Sequence, residues 1–351
     1  MSTQVSVVVP AYNAAETLPA CLAALAAQDA ASDSYEVILV DDGSTDNTAA
    51  IAKAAGVRVI RQPNAGPAAA RNRGADAACG QLLFFTDADC APTPGWITAL
   101  SAPFADPRVA GAKGAYLTRQ TAVVPRFTQL EYQDRYDRMA QAETIDFVDT
   151  YSAAYRRDVF AASGGFDPTF PTASVEDQEL SFRLAALGHR MVFVGAAQVY
   201  HRHNPTLRAY LRRKFLIAYW KARLARRHPD RMIHDSHTPG VLKLQMLLAP
   251  LAAVGAGFGL LALILGWRGA QGLLSAAVLV AAAFVLSSAP FLAKVWRRDR
   301  AVLPAAVGLL WARALALGAG LLVGLLRFGR LDDLGILATA AFRSWRAARH
   351  R

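Results

Sequence analysis

Three acidic clusters hold most of the chemistry this sequence could perform. Asp87-Ala88-Asp89 sets two carboxylates one residue apart, after the apolar run Leu82–Phe85 and before Cys90-Ala91-Pro92. Carboxylates so spaced at a strand end can share a hard divalent cation that also binds a substrate diphosphate. As an isolated tripeptide they read equally as a solvated loop. Asp41-Asp42-Gly43-Ser44 is either an Asx turn, which Asp and Gly favour, or a pair of carboxylates for the imide and ribose of a nucleotide. Glu176-Asp177 opens the periodic run Leu180, Leu184, Leu187 and so stands at a helix N-terminus, where the helix dipole favours acids whatever they do. Glu179 and Arg183, at i and i+4, read as a helix ion pair.

The elements around these clusters follow a βα rhythm. Val5–Val9 is a short β-branched run that Pro10 is expected to stop. A helix is expected over Ala14–Ala27, a strand over Glu36–Val40, a helix over Asp46–Ala55 and a strand over Val57–Ile60. A third helix over Pro67–Cys79 and a strand over Leu82–Thr86 follow. Alternating strands and helices imply βαβ units and a largely parallel buried sheet. Ligands bind such sheets beyond the carboxyl ends of the strands. Tyr12 and Asn13, Asp41 and Asp42, and Asp87 and Asp89 all fall there. No G-x-G-x-x-G follows the first strand, which disfavours a dehydrogenase-type dinucleotide fold.

Taken in order, the segments VSVVVPAYN (5–13), VDDGSTD (40–46), NAGPAAARN (64–72), FTDAD (85–89), GGFD (164–167) and EDQELSFRL (176–184) resemble the family 2 glycosyltransferases over about residues 4–205. The resemblance implies an α/β GT-A fold, a Rossmann-like mixed sheet, and an inverting, metal-dependent transfer of a hexosyl-type sugar from a nucleotide-sugar donor, UDP- preferred to GDP-. It also implies roles. Pro10, Tyr12, Asp41, Asp42, Arg71 and Asp87 would bind the donor, with Tyr12 against the base and Asp41 or Asp42 on base and ribose. Asp89 would ligate Mn²⁺ or Mg²⁺, and His201 would be the metal-proximal histidine, with His203 close enough to compete for that part. Asp177 is the expected general base, because inversion needs a group on the acceptor side to take the hydroxyl proton. As alternatives to donor and metal roles, Arg71 reads as a helix-surface arginine and the histidines as loop residues.

Composition divides the 351 residues in two. Residues 1–200 hold 15 basic and 22 acidic residues, net −7; residues 201–351 hold 23 and 5, net +18. Mean hydropathy is +0.22, and hydrophobic types make up 54%. A soluble acidic module on a basic membrane anchor fits this split. Nucleic acid is excluded as a partner, because the basic residues flank apolar runs and form no aromatic-studded patch. Cys21, Cys79 and Cys90 have neither disulfide-framework nor zinc spacing. The N-terminus has no basic n-region and its apolar run meets Pro10, so the catalytic half is expected to stay cytoplasmic.

The expected organisation is a catalytic domain over 1–205, a basic interfacial helix and linker over 206–238, a membrane region over 239–328 and a basic cytoplasmic tail over 329–351. Leu244–Trp267 and Gly269–Ala293 are uncharged runs of 24 and 25 residues, each beyond the roughly 20 that span a bilayer core. The basic stretch after Ala293 obeys the positive-inside rule for a cytoplasmic return. Ala301–Leu326 carries Arg313 at its centre, where insertion costs about 2.5–3.5 kcal/mol. A re-entrant or interfacial helical pair broken at Arg313 is therefore preferred to a third span. Residues 206–221 place Leu207, Leu211, Phe215 and Ala218 at helical spacing with Arg208, Arg212 and Lys214 elsewhere, a pattern suited to anionic lipid or to a plain basic surface helix. Pro125–Gln141, with Phe127, Leu130 and Tyr132, reads as a second membrane-facing or acceptor-side segment or equally as an ordinary amphipathic helix, and no site is attached to it. The acceptor is expected to be a lipid or lipid-linked molecule at the cytoplasmic face of a multi-pass cell-membrane protein. A processive polysaccharide synthase is less favoured because no Q-x-x-R-W occurs. A non-catalytic scaffold would need none of Asp87, Asp89 and Asp177. A small transporter is disfavoured with only Arg313 inside an apolar run.

Overall fold

The computed structural model describes residues 4–170, 175–228 and 239–328, and the chain divides into two units. The first takes in Met1–Gln120 and Glu131–His203, the second Thr121–Leu130 and Asn204–Arg351.

In the first unit β1 (Val5–Ala11), α1 (Leu18–Ala26), β2 (Tyr35–Asp41), α2 (Thr48–Ala54), β3 (Arg58–Arg61), α3 (Pro67–Asp76) and β4 (Leu82–Phe85) follow the expected rhythm. Next come β5 (Cys90–Pro92), α4 (Trp96–Ser101), β6 (Val109–Leu117) and α5 (Val123–Met139), the last of which runs into both units. The unit ends with β7 (Ala153–Arg156), α6 (Arg157–Ala162), α7 (Glu176–Ala186) and β8 (Arg190–His201). The eight strands form one sheet in the order β3-β2-β1-β4-β7-β6-β8-β5. The β3-β2-β1-β4 half is parallel, as the βα rhythm requires, whereas β7 runs antiparallel to both β4 and β6. This is the mixed sheet of a GT-A-like domain. Val7, Val8, Val9, Ile38, Leu39 and Val40 are buried, which is why these strands read as continuous apolar runs.

Pro10 does not stop β1. It lies inside the strand opposite Val40, while pairing with β4 ends at Val8. The proline sits beyond the reach of its second neighbour, where a missing N–H leaves no ladder bond unmade.

The second unit holds α8 (Leu207–Arg227), α9 (Gly240–Ile264), α10 (Ala270–Arg298) and α11 (Leu303–Phe328). Helices α9 and α10 form a hairpin closed by Leu274 against Gly259 and Ala277 against Gly255. These two and the stretch Arg300–Phe328 are each long and apolar enough to cross a membrane. The expected break at Arg313 is absent: α11 is one unbroken helix of 26 residues. The guanidinium is accommodated by a polar junction, donating to Gln245 Oε1 at 2.9 Å, while Gln245 Nε2 donates to Ser288 Oγ at 2.9 Å. The tail expected over 329–351 and linker residues 229–238 lie outside the described residues.

Candidate active site

The loops that leave β1 and β2 are tied to each other before they are tied to anything else. Asn13 takes a positive φ of 49°, and its side-chain oxygen accepts from Thr45 N at 2.8 Å. Its own N–H donates to Ser44 Oγ at 2.9 Å. Asp41 Oδ1 accepts from Ser44 N at 2.9 Å, the Asx turn the sequence allowed, and Oδ2 lies 3.1 Å from Arg61 Nε. Asp42 reaches the 62–66 loop, accepting from Gln62 Nε2 (2.7 Å), Ala65 N (2.9 Å) and Gly66 N (2.9 Å). Gly43 stands between them at φ +80°, where a Cβ would lie 2.8 Å from Asn64 N, so only glycine fits. Both carboxylates are buried and used within the protein to shape the loops. Tyr12, by contrast, projects from the same rim at 54% exposure.

Arg71 is not a surface arginine. It is 2% exposed and bridges two acids far apart in sequence. Its Nη2 donates to Asp87 Oδ1 at 2.7 Å and its Nη1 to Glu176 Oε1 at 3.0 Å. One guanidinium thus joins the end of β4 to the start of α7. Burial opposes its charge, but Asp87 and Glu176 outweigh that and raise its pKa further. The next residue, Asn72, brackets the backbone of Phe166 from both sides, donating to its carbonyl (2.7 Å) and accepting from its N–H (2.9 Å). Removing Arg71 leaves Glu176 buried without its cation, and breaking a buried pair in this way costs about 3–5 kcal/mol. Arg71→Ala is therefore expected to melt far below the wild type in detergent. Arg71→Lys, a point charge in place of a fork, should recover only part of the loss.

Pairing of β5 with β8 sets Cys90 opposite His201 and so brings Asp89 to the histidine. His201 Nε2 lies 3.3 Å from Asp89 Oδ2, and the Asp89 side chain keeps 42% of its surface open. Burial acts against the Asp89 charge, but the hydrogen bond and field of His201 prevail and hold the carboxyl below its ordinary value. Asp89, Cys90 and His201 present ligand atoms within 4.8 Å of one another. A carboxylate oxygen and an imidazole nitrogen with an open side fit Mn²⁺ or Mg²⁺ carrying a diphosphate. The Cys90 thiol is buried beside Asp89 and Asp87, which pushes its pKa well up, so it offers a weak donor. His203 lies behind, its Nδ1 3.0 Å from His201 Nδ1.

Asp177 begins α7 next to Glu176, half-buried, with Oδ1 accepting from Gln178 N at 2.8 Å. Burial, then the charges of Glu176 and Asp149, push its carboxyl well above the usual carboxylate range, against the smaller pull of Arg71. Glu179 instead forms the expected ion pair with Arg183 at 2.7 Å.

Three features carry no sequence signal. Lys113, fully buried on β6, pairs with Asp149, and burial draws its pKa down. Tyr116 stacks on His201 with ring centroids 4.4 Å apart and on Tyr151 at 3.4 Å. Tyr132 stacks on His203 at 5.6 Å. Tyr132 comes from α5 and Tyr151 from the turn before β7, while the register of β6 on β8, with Tyr116 opposite Val199 and Leu117 opposite Tyr200, brings Tyr116 to His201.

Residues 6–164 match the sequence model of Glycosyl transferase family 2. The chain is 30% identical over 268 residues to the pre-mycofactocin glycosyltransferase of Mycobacterium tuberculosis, a match that covers 74% of this chain and 54% of that protein. It is 30% identical over 174 residues to the glycosyltransferase AglE of Haloferax volcanii, covering 46% of this chain and 55% of that one. It thus spans about half the length of these curated relatives. Among solved structures, the mannosyltransferase PcManGT of Pyrobaculum calidifontis, in complex with GDP-Man and Mn²⁺, superposes with a TM-score of 0.57 at 19% identity, covering 92% of this chain and 88% of that one. That likeness is one of fold.

Proposed function

Because this chain belongs to glycosyl transferase family 2 through its residues 6–164, we propose that it transfers a sugar from a nucleotide-sugar donor to a lipid or lipid-linked hydroxyl, with inversion, in a divalent-metal-dependent reaction at the cytoplasmic face of a membrane. The observation that carries this reading is the pair Asp89–His201, 3.3 Å apart at the sheet edge, coupled by Asp87, Arg71 and Glu176 to the neighbouring Asp177. Mn²⁺ in the complex of the P. calidifontis mannosyltransferase supports a cation of that kind, and the three long apolar helices support a membrane setting.

In this reading Tyr12 packs against the base and the Asp41–Asp42 loops define the nucleotide's place. Asp89 and His201 would hold a divalent cation, which would supply positive charge to the departing diphosphate. Arg71 keeps Asp87 on the donor side and Glu176 beside the base. Asp177 takes the acceptor proton as the hydroxyl oxygen bonds to C1; the bond from C1 to the diphosphate oxygen breaks, and the nucleoside diphosphate leaves with its electron pair. The raised pKa suits that task, since a base nearer the working pH accepts a proton more readily than an ordinary carboxylate.

A panel of UDP- and GDP-sugars with Mn²⁺ tests the donor class. Ligand at about 100 times its dissociation constant stabilises a protein by about 2.7 kcal/mol, so the right nucleotide should raise the melting temperature visibly. No response to any member, with or without Mn²⁺, would set the donor assignment aside.

A further inference from the structure

Helix α11 satisfies every requirement of length and apolarity for a third membrane span. Its neighbours do not. Gly320 and Gly324 lie against the backbone of α8: a Cβ on Gly320 would come 2.2 Å from the Phe215 carbonyl oxygen, and one on Gly324 2.4 Å from that of Tyr219. Trp220 stacks on Phe328 at 5.6 Å, and Tyr210 shares a buried cluster with Leu310 and Ala314. Residue numbers rise together along both helices, so α8 runs parallel to α11 over most of its length. Eight of the 21 residues of α8 are Lys or Arg and none is acidic. If α11 crossed the bilayer, the α8 stretch alongside its centre would carry Arg208, Arg212, Arg213 and Lys214 to the same depth as Arg313. Hydrocarbon does not admit such a row, and side chains at the middle of a span are the worst placed to snorkel out.

A second observation is independent of charge. Val302 packs in one cluster with Val295, past the end of the apolar part of α10, while Gly318 lies against Met246 O in the second turn of α9. Between them lie about 24 Å of helix, yet both contacts fall toward the open end of the α9–α10 hairpin. Arg313 meets Gln245 there too, only five residues into α9. Between these points Trp311 reaches Phe284, midway along α10, with ring centroids 4.6 Å apart, so α11 crosses the hairpin obliquely, with Val302 and Gly318 both toward its open end.

We infer that α8 and α11 form one interfacial unit that lies in the headgroup layer of an anionic phospholipid surface, and that the α9–α10 hairpin alone spans. The exposed arginines Arg208, Arg212 and Arg213 face lipid phosphates, and exposed Leu322 and Leu326 enter the acyl boundary. Two crossings return the C-terminus to the side from which the chain entered.

Nitroxide depth measurements on the full chain in nanodiscs decide this. Single cysteines are placed at the exposed positions Gly308, Ala319 and Leu326 of α11, at Phe258 of the hairpin as a deep reference, and at Leu207 of α8, all on a Cys79→Ser background, since Cys79 is the exposed native thiol. The three α11 labels should report similar shallow depths, well short of Phe258. Leu207 should sit deeper in equimolar phosphatidylglycerol and phosphatidylcholine than in phosphatidylcholine alone, and Arg208→Gln/Arg212→Gln/Arg213→Gln should remove that difference. A reporter after Arg351 should lie on the same side as one at the N-terminus. Ala319 at the depth of Phe258, with the two reporters on opposite sides, would overturn the interfacial placement. Equal Leu207 depth in both lipid mixtures would overturn the anionic-lipid assignment.

Discussion

Asp177→Asn should lower kcat by at least about a hundredfold, within the 10²–10⁴ range of general-base contributions, and leave nucleotide affinity nearly unchanged. The same substitution should raise thermal stability at neutral pH, and the sign follows from the titration. Burial, Glu176 and Asp149 put the carboxyl's pKa in the folded protein above its unfolded value. The folded state then binds the proton more tightly, so this group's contribution is fully present below the unfolded pKa and is lost as pH rises through the folded one. Asparagine holds the neutral form at every pH and keeps an oxygen for the Gln178 N–H. An acid kept only to suit the helix dipole predicts the reverse: near-normal turnover and a loss of about 0.3–1 kcal/mol of stability. The raised pKa also predicts a kcat/KM profile whose acid limb lies above the usual carboxylate range, with activity falling as pH drops through it. An acid limb near 4, or normal turnover in the asparagine variant, would remove Asp177 from the mechanism.

Asp89→Asn should suppress turnover at least as strongly and, unlike the Asp177 change, should weaken donor binding as well. Asp89 supplies the carboxylate of the Asp89–His201 pair, and a cation held there would be worth several kcal/mol at the departing diphosphate, or about 10²–10³-fold in rate. EDTA should abolish wild-type activity, and Mn²⁺ or Mg²⁺ should restore it. In the asparagine variant added metal should restore little. His201→Ala should resemble a weaker Asp89→Asn, while His203→Ala, one ring further from the carboxylate, should retain metal response. Full activity in EDTA, or metal-independent activity in the asparagine variant, would contradict the role given to Asp89.

Local pattern made much of this molecule readable. Strand β2 announces itself as a β-branched run, and α7 by the spacing of Leu180 and Leu184 after Glu176-Asp177. The hairpin follows from uncharged length alone. What stayed hidden depends on pairings that no local window contains. Arg71 looks like a surface residue of α3 until Asp87, 16 positions on, and Glu176, 105 positions on, are seen against it. Cys90 joins the metal-ligand group only because β5 pairs with the end of β8. Pro10 marks a strand end by type but is tolerated where its second neighbour has already stopped. Arg313 argued for a broken helix, and the offsetting Gln245 stands 68 residues earlier. The Asp41–Asp42 turn was legible as a turn and as a nucleotide contact alike, because a carboxylate that organises a loop and one that reads a ligand share the same sequence.

The central claim is tested most directly by following labelled sugar. Purified full-length protein in nanodiscs is given the nucleotide sugar that stabilises it, radiolabelled in the sugar, with Mn²⁺ and a total lipid extract. Label should move from the aqueous to the organic phase with release of one nucleoside diphosphate per sugar transferred, in the wild type and not in Asp89→Asn or Asp177→Asn. Label that stays aqueous for every donor in the panel, or that moves equally in the two variants, would contradict the account.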